Sequence, residues 1–192
     1  MQIQKIKKTE LGEIPEEWNV VTIDEICDIK GGKRLPLGKS FSPTATKYPY
    51  IRVVDFRNGG VDTRNLQYLG EDTYQLIKNY TISIDDLYFS IAGTVGLVGK
   101  IPPSLNGANL TENAAKLCKI KNITQDYLMY FLNSKIIKNQ IKSYIGHVSQ
   151  PKLALFRLGK LNMFLPPIQE QQKIASILTN VDNLIQKNRS NN

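Results

Sequence analysis

The sequence predicts an α+β fold, in which an irregular mixed sheet with flanking helices is followed by a C-terminal helix of the coiled-coil type. Short β-branched and aromatic runs, such as residues 50–54 and 87–92, are bounded by turn residues in the way that strands are. Helical patterns lie among and after these runs without the regular alternation that a doubly wound parallel sheet requires. The order of elements therefore favours a mixed rather than a repetitive α/β architecture.

Local signals predict the other elements. Gly93, Gly96 and Gly99 lack the spacing of a phosphate-binding loop and favour a tight or bulged hairpin instead. The predicted elements are a strand at 18–23, a short helix at 24–29 capped by Asp24, strands at 50–54 and 117–120, a short helix at 72–80, a hairpin at 87–101, a single helix at 125–144 capped by Thr124, and a strand at 161–165.

The C-terminal helix is predicted to begin at about Ile168, because Pro166 and Pro167 suit a helix entry and not a helix interior. Its apolar positions are spaced by four, three and four residues, which forms a narrow seam of the coiled-coil kind: Ile174, Leu178, Val181 and Ile185. Such a seam packs on its own domain, on a second copy or on another protein. We therefore divide the chain into a domain at 1–165 and a docking helix at 166–192.

Composition bounds the class of protein. The chain has 192 residues, of which 41% are hydrophobic and 22% charged, as in ordinary globular domains. There is no apolar run of transmembrane length and no secretory signal pattern at the start, so we expect a cytoplasmic protein without a membrane partner. The chain has only two cysteines, Cys27 and Cys118, and one histidine, His147. So few ligands argue against a zinc site, and no metal is expected.

The net charge of +8 is concentrated in two windows. Residues 30–57 hold seven basic residues against one acid, Asp55, and residues 127–169 hold six basic residues and no acid. A local excess of this kind favours a polyanionic partner. A solubilising surface is the alternative interpretation.

Polar loops inside or next to these windows supply candidate DNA contacts. Flexible basic residues suit phosphates, whereas Arg and Asn can make bidentate contacts to guanine and adenine. For Asn58, the frequency of Asn-Gly in turns is an equally good explanation, and each candidate has an ordinary surface role as its alternative. The candidates are Lys33, Arg34, Arg57, Asn58, His147, Ser149, Gln150 and Lys152.

Catalysis has little support in the sequence. A Mg²⁺-dependent nuclease would need clustered carboxylates with a lysine, and the pair Asp85-Asp86 does not provide that arrangement. Neither Pro-Pro pair has the Asn and the aromatic residue of an amino-methyltransferase turn, and no G-x-S-x-G accompanies the single histidine. We therefore predict a non-catalytic binding protein with no catalytic residues.

Four segments together resemble the specificity subunit of type I restriction-modification systems. Any one of them is weakly specific, but their order and spacing are shared with that family over nearly the whole chain. They are Leu11-Gly12-Glu13-Ile14-Pro15-Glu16-Glu17-Trp18, the hairpin stretch Ser90-Ile91-Ala92-Gly93-Thr94, the loop Ser149-Gln150-Pro151, and Leu165-Pro166-Pro167-Ile168-Gln169-Glu170-Gln171 with Ile174-Ala175.

The resemblance implies one target recognition domain that binds double-stranded DNA and reads one half of a bipartite target. It also implies methyltransferase subunits that dock on the helices and carry S-adenosylmethionine, with no cofactor in this chain, and a restriction ATPase-nuclease subunit that joins the complex. Members of the family have two recognition domains, so this chain is either a half-subunit that forms a homodimer or a piece of a longer subunit. The alternatives are a nucleic-acid-binding or scaffold protein without sequence readout, and a stand-alone nuclease.

Overall fold

A computed structural model of the chain describes residues 5–57, 59–146 and 149–190, and it has the predicted mixed α and β architecture. The helices are α1 (Ile23–Ile26), α2 (Glu71–Ile77), α3 (Gln125–Leu132), α4 (Lys135–Ile145), α5 (Leu155–Gly159) and α6 (Ile168–Ser190). The strands are β1 (Ile6–Thr9), β2 (Gly12–Pro15), β3 (Asn19–Thr22), β4 (Asp28–Gly31), β5 (Pro49–Ile51), β6 (Phe56–Arg57), β7 (Gly60–Val61), β8 (Gln67–Tyr68), β9 (Leu87–Ser90), β10 (Val98–Gly99), β11 (Asn109–Leu110), β12 (Ala114–Cys118) and β13 (Asn162–Leu165).

An antiparallel sheet in the order β10-β9-β12-β4 lies at the centre of the fold. All four residues of β9 are buried. Since side chains alternate along a strand, Leu87 and Phe89 enter the main core under the helices, whereas Tyr88 enters a second core on the other face. The sheet is thus buried on both faces, which explains why this segment is an unbroken apolar run in the sequence.

A smaller sheet in the order β11-β5-β8 packs beside the central one. The predicted strand at 50–54 is wrong at its end, because β5 stops at Ile51 and Val53–Asp55 forms a 3-10 turn. The buried Asp55 carboxylate accepts a hydrogen bond from the Arg52 backbone nitrogen (2.8 Å) and pairs with the Arg52 guanidinium (2.8 Å). A local ion pair, between residues three positions apart, therefore overrides the β propensity of the two valines.

The single helix predicted at 125–144 is wrong, because the structure has two helices, α3 and α4. Thr124 caps α3 as predicted, accepting a bond from the Tyr127 nitrogen. At the break, Ser134 leaves the helical region (ψ 161°), and its side chain accepts from the Ile137 nitrogen. Serine competes for backbone hydrogen bonds in this way, and it starts a new helix here.

Other element boundaries also differ from the predictions. The strand expected at 117–120 is β12, which ends at Cys118 because Lys119 adopts a left-handed conformation (φ 52°). Thr22, and not Asp24, caps α1, in a capping box with Glu25. The hairpin of β9 and β10 forms as predicted. The pairing of β13 with β3 joins the beginning of the chain to the segment before α6.

Helix α6 begins at Ile168, as the proline pair predicts. Its first turns belong to the domain, since Gln171 is fully buried and Ala175 is 5% exposed. The Gln171 side chain accepts from the Thr124 nitrogen (2.8 Å) and donates to the Pro166 carbonyl (2.8 Å). No helix among the described residues has the length and apolarity needed to cross a membrane.

The buried thiol of Cys27 gives a chemical test of the core. Burial, with a smaller contribution from nearby Cys118, raises the pKa of Cys27 to about 12. Because the thiolate is the reactive form, Cys27 should not react with a thiol reagent at pH 8 while the domain is folded, and it should react at once in denaturant. Thiol titration with and without urea measures this difference. Rapid labelling of Cys27 in the folded protein would contradict the described packing.

Candidate nucleic-acid interface

Two clefts lie side by side on the loops of the domain and share one residue, Asn113. The first, here called the arginine cleft, has a volume of about 360 Å³ and is lined by Arg34, Leu35, Phe41, Tyr50, Arg52, Val53, Val54, Thr111, Glu112 and Asn113. The second, here called the loop cleft, has a volume of about 520 Å³ and is lined by Ala92, Gly93, Asn113, Ser149, Gln150, Pro151 and Lys152. The fold therefore brings four of the predicted contact residues into adjoining clefts: Arg34, Ser149, Gln150 and Lys152.

The wall of the arginine cleft is held by close backbone contacts. Gly32 donates to the Ala114 carbonyl (2.9 Å), and Lys33 donates to the Leu110 carbonyl (2.8 Å). A β-carbon on Gly32 would lie only 2.1 Å from the Thr111 carbonyl oxygen, so no other residue fits without movement of the backbone. Because Gly32 has no side chain, the basic loop can lie directly against the segment that leads to Asn113.

The loop cleft joins two segments that are far apart in the sequence. Lys152 forms an antiparallel bridge with Ala92, and Leu153 donates to the Ile91 carbonyl (2.8 Å). The turn after β9 is closed by Ser90, whose hydroxyl accepts from the Leu97 nitrogen (2.8 Å). A rigid hairpin therefore positions the loop with Ser149 and Gln150, both of which are exposed.

Asn113 is a site residue that the sequence reasoning missed. Its carbonyl accepts from the nitrogens of Ile91 (2.8 Å) and Ala92 (3.2 Å), which fixes its backbone between the two clefts. Its side chain is exposed, and no hydrogen bond to its amide group is found among the described residues. An asparagine between two strands has no distinctive local signal, so only the fold identifies it.

The first basic window is largely neutralised by carboxylates, all but one of which lie outside the window. Five of its seven cations have a carboxylate partner, at distances of 2.5 to 3.6 Å. The pairs are Arg34–Glu112, Lys39–Asp72, Lys47–Glu71, Arg52–Asp55 and Arg57–Asp62. Lys33 instead lies over the ring of Tyr80, 5.5 Å from its centroid. Most of the local charge excess counted in the sequence is thus compensated in the fold.

Arg34 and Arg57 have different surroundings. The hydrogen bond with Glu112 raises the pKa of the exposed Arg34 guanidinium, and solvent screening makes a pair of this kind weak. Arg57 donates to the carbonyls of Val54 (2.9 Å) and Phe56 (2.8 Å) and to Asp62 (2.8 Å). Its guanidinium therefore stabilises the turn beside the arginine cleft, which Val54 lines. Asn58 and His147 lie outside the described residues.

The hydrogen bonds around Asp62 also fix this turn. Hydrogen bonds from the Arg64 side chain and backbone, with a further one from Arg57, lower the pKa of Asp62 well below its ordinary value. The carboxylate therefore stays ionised at any pH at which DNA binding would be measured. Arg57 and Arg64 both form an ion pair with this one carboxylate.

The predicted seam on α6 is divided between the domain and solvent. Ile174 packs against the main core, whereas Leu178, Val181 and Ile185 are 38%, 45% and 44% exposed. Ile177 and Leu184 are also exposed, and at 100° per residue these five outer positions span an arc of about 120°. Tyr130 tethers the helix as far as Asp182 (3.0 Å). An apolar stripe therefore faces solvent along the outer half of α6.

No cluster of three or more metal-ligating side chains is found in the part of the chain that the structure describes. The clefts are lined by arginine, lysine and amide side chains on loops, and a half-exposed amphipathic helix extends from the same domain. These features describe a mixed α and β domain with basic and amide-lined loop clefts, and with a last helix whose outer half is exposed.

The comparisons with known proteins identify the family. A model of the type I restriction modification DNA specificity domain matches residues 15–192, so the chain belongs to that family. It is 31% identical over 192 residues to a Methanocaldococcus jannaschii protein named for the specificity subunit of the type I restriction enzyme MjaX. That match covers 95% of this chain and 43% of the relative. The MjaVIII specificity subunit of the same organism is 27% identical, with 97% and 44% covered.

Solved structures agree with the fold. The HsdS subunit from Thermoanaerobacter tengcongensis superposes with a TM-score of 0.66 at 18% identity, covering 91% of this chain and 39% of that one. A chain from a structural study of complex assembly in the type I R-M system gives a TM-score of 0.70 at 18% identity, covering 91% and 40%. The predicted resemblance and fold are thus confirmed. The chain spans less than half the length of these relatives.

Proposed function

We propose that this chain binds double-stranded DNA sequence-specifically, reads one half of a bipartite target of a type I restriction-modification complex, and positions methyltransferase subunits there. The observation that supports this most directly is the pair of adjoining loop clefts that share Asn113. Their combined lining has cations for phosphates and amide or hydroxyl groups for base edges, which are the two kinds of contact that sequence-specific binding requires.

The chemistry of each side chain determines whether it suits a phosphate or a base edge. Arg34 and Lys152 are exposed cations at the two clefts and suit phosphate oxygens, whereas Asn113 and Gln150 suit the N6 and N7 edge of adenine. Ser149 donates to or accepts from either kind of group. The Arg34–Glu112 pair is exposed enough for a phosphate to replace the carboxylate.

The exposed stripe on α6 suits an equivalent helix, contributed either by a second copy of this chain or by a second recognition domain. We propose that methyltransferase subunits, which carry the S-adenosylmethionine, dock on the resulting helix pair, and that the restriction ATPase-nuclease subunit joins that complex in the cytoplasm. This chain would then hold no cofactor and no catalytic group. Incubation of the purified chain with DNA and Mg²⁺ should give no cleavage, and any cleavage that depends on the chain would favour the nuclease alternative.

Replacement of Asn113 by Ala tests the reading role. A selected duplex would first be enriched from a randomised library, and binding would then be compared between that duplex and random DNA. Loss of a bidentate base contact costs about 1–3 kcal/mol, so Asn113→Ala should weaken binding to the selected duplex by about 5- to 160-fold. Binding to random duplex should change little, since phosphate contacts do not depend on this residue.

Asn180→Ala is the matched control, because Asn180 is an exposed asparagine on α6, away from both clefts. It should leave the preference for the selected duplex unchanged. Failure of the parent chain to enrich any sequence, together with equal affinity for all duplexes, would favour a scaffold without readout. An equal loss on selected and random duplexes with Asn113→Ala would remove this residue from the reading role.

A further inference from the structure

Helix α4 presents a stripe of three exposed lysines, here called the lysine stripe: Lys135, Lys138 and Lys142. At 100° per residue they lie within an arc of about 60°. Ile137 and Ile141, both buried in the main core, fix the buried face of the helix. The stripe is thus held in one orientation by the packing of the helix that carries it.

The lysine stripe is unfavourable for the helix itself. Lys135 is the first residue of α4, where the positive end of the helix dipole disfavours a cation, and no acid lies in the first turn. Lys138 and Lys142 are four residues apart, a spacing at which like charges on a helix repel each other. Local rules are broken in this way mainly where a residue has a role outside stability.

The lysine stripe also lacks the compensation that the first basic window receives. Among the described residues no acid lies within 4.0 Å of these three ammonium groups, whereas five cations of the first window have a carboxylate partner. Of the other cations in the acid-free window, Lys160 pairs with Asp24 (2.9 Å), and Arg157 donates to the Tyr144 carbonyl at the end of α4 (2.7 Å). The stripe therefore places three uncompensated positive charges close together on one helix face, among the residues that the structure describes.

The position of α4 relates the stripe to the loop cleft. One flank of the helix faces β13, where Gln140 exchanges two hydrogen bonds with Asn162 (2.8 Å each). The other flank carries Ile141, which lies beside Gly96 in the hairpin turn that also brings Gly93 to the loop cleft. On the helical wheel the lysines are closer to Ile141 than to Gln140. The stripe therefore lies on the side of α4 that is nearer the cleft.

We propose that the lysine stripe binds the phosphate backbone of the duplex whose bases are read at the clefts, an inference that rests on the proposed function. The seven-residue step from Lys135 to Lys142 spans about 10 Å at 1.5 Å per residue. A duplex presents about six phosphate charges over that length of its axis. The contacts are sequence-blind, so they add affinity for every duplex equally and fix the orientation of the domain on the DNA.

The test is the combined variant Lys135→Gln, Lys138→Gln and Lys142→Gln. Each lost phosphate contact reduces the slope of log K against log salt concentration by about 0.9. The magnitude of the slope should fall by about two to three, both on the selected duplex and on random DNA, with the preference between them unchanged. Thermal melting should show no loss of stability, because unfavourable charges have been removed from α4.

Lys5→Gln, Lys8→Gln and Lys121→Gln remove the same charge from exposed lysines outside α4 and serve as the control. An equal change of slope in both variants would show that the slope depends only on net charge, and this result would overturn the proposal. An unchanged slope with weaker binding of methyltransferase subunits would assign the stripe to a protein partner instead. If the parent chain shows no sequence preference, the proposed function fails, while the comparison of slopes still tests the stripe.

Discussion

Gly32→Ala is expected to destabilise the domain by about 3 kcal/mol or more, or to prevent folding, because the new β-carbon would overlap backbone atoms that have no room to move. It would lie 2.1 Å from the Thr111 carbonyl oxygen and 2.3 Å from the Leu110 carbonyl oxygen. Those carbonyls belong to β11 and the segment after it, and the Leu110 oxygen accepts the bond from Lys33. The variant should therefore also displace the wall of the arginine cleft.

Gly31→Ala is a matched control in the adjacent residue. Its β-carbon would lie 3.5 Å from the Leu155 side chain, which is an ordinary contact, so we expect a change within about 1 kcal/mol. Urea denaturation of both variants, followed by circular dichroism, measures the difference in unfolding free energy. Similar transition midpoints for the two variants would mean that the close approach at Gly32 is not present in the protein.

The second large effect is expected for the double variant Leu178→Asp and Val181→Asp, which should abolish helix pairing through α6. Burying each Leu or Val in such a seam contributes about 1.5–3 kcal/mol, and the carboxylates would resist burial as well. Association should weaken by more than about 100-fold. Sedimentation of the chain alone, and of its mixture with methyltransferase subunits, measures this loss.

The fold should survive this change, since both side chains are well exposed in the domain as described (38% and 45%). Ser176→Asp with Asn183→Asp adds the same charge to exposed polar positions of α6 and should leave association intact. A large fall in melting temperature with association retained would show that the stripe packs on its own domain. Such a result would remove the docking role of α6.

Counting charges along the sequence favoured a polyanionic partner, but it could not show which of the cations are paired with acids in the fold. Arg34, Lys39 and Lys47 form part of a positive window in sequence, yet in space they pair with Glu112, Asp72 and Glu71. The acids come from 24 to 78 positions away along the chain. By contrast, the three lysines of α4 remain without an acid among the described residues. The roles of Lys33, Arg57 and the other candidates as DNA contacts stay predictions.

The sequence by itself determined the family, the mixed α and β fold, the start of α6 at Ile168 and the spacing of its seam, because these depend on proline geometry, helical periodicity and the order of local motifs. Only the tertiary structure decided that Ser134 divides one predicted helix, that Asn113 joins two clefts, and that Gly32 has no room for a side chain. Each of these depends on contacts between residues far apart in the chain or on competition between nearly equal local conformations. A short stretch of sequence shows neither the free energy of long-range contacts nor the small free-energy difference between competing local conformations.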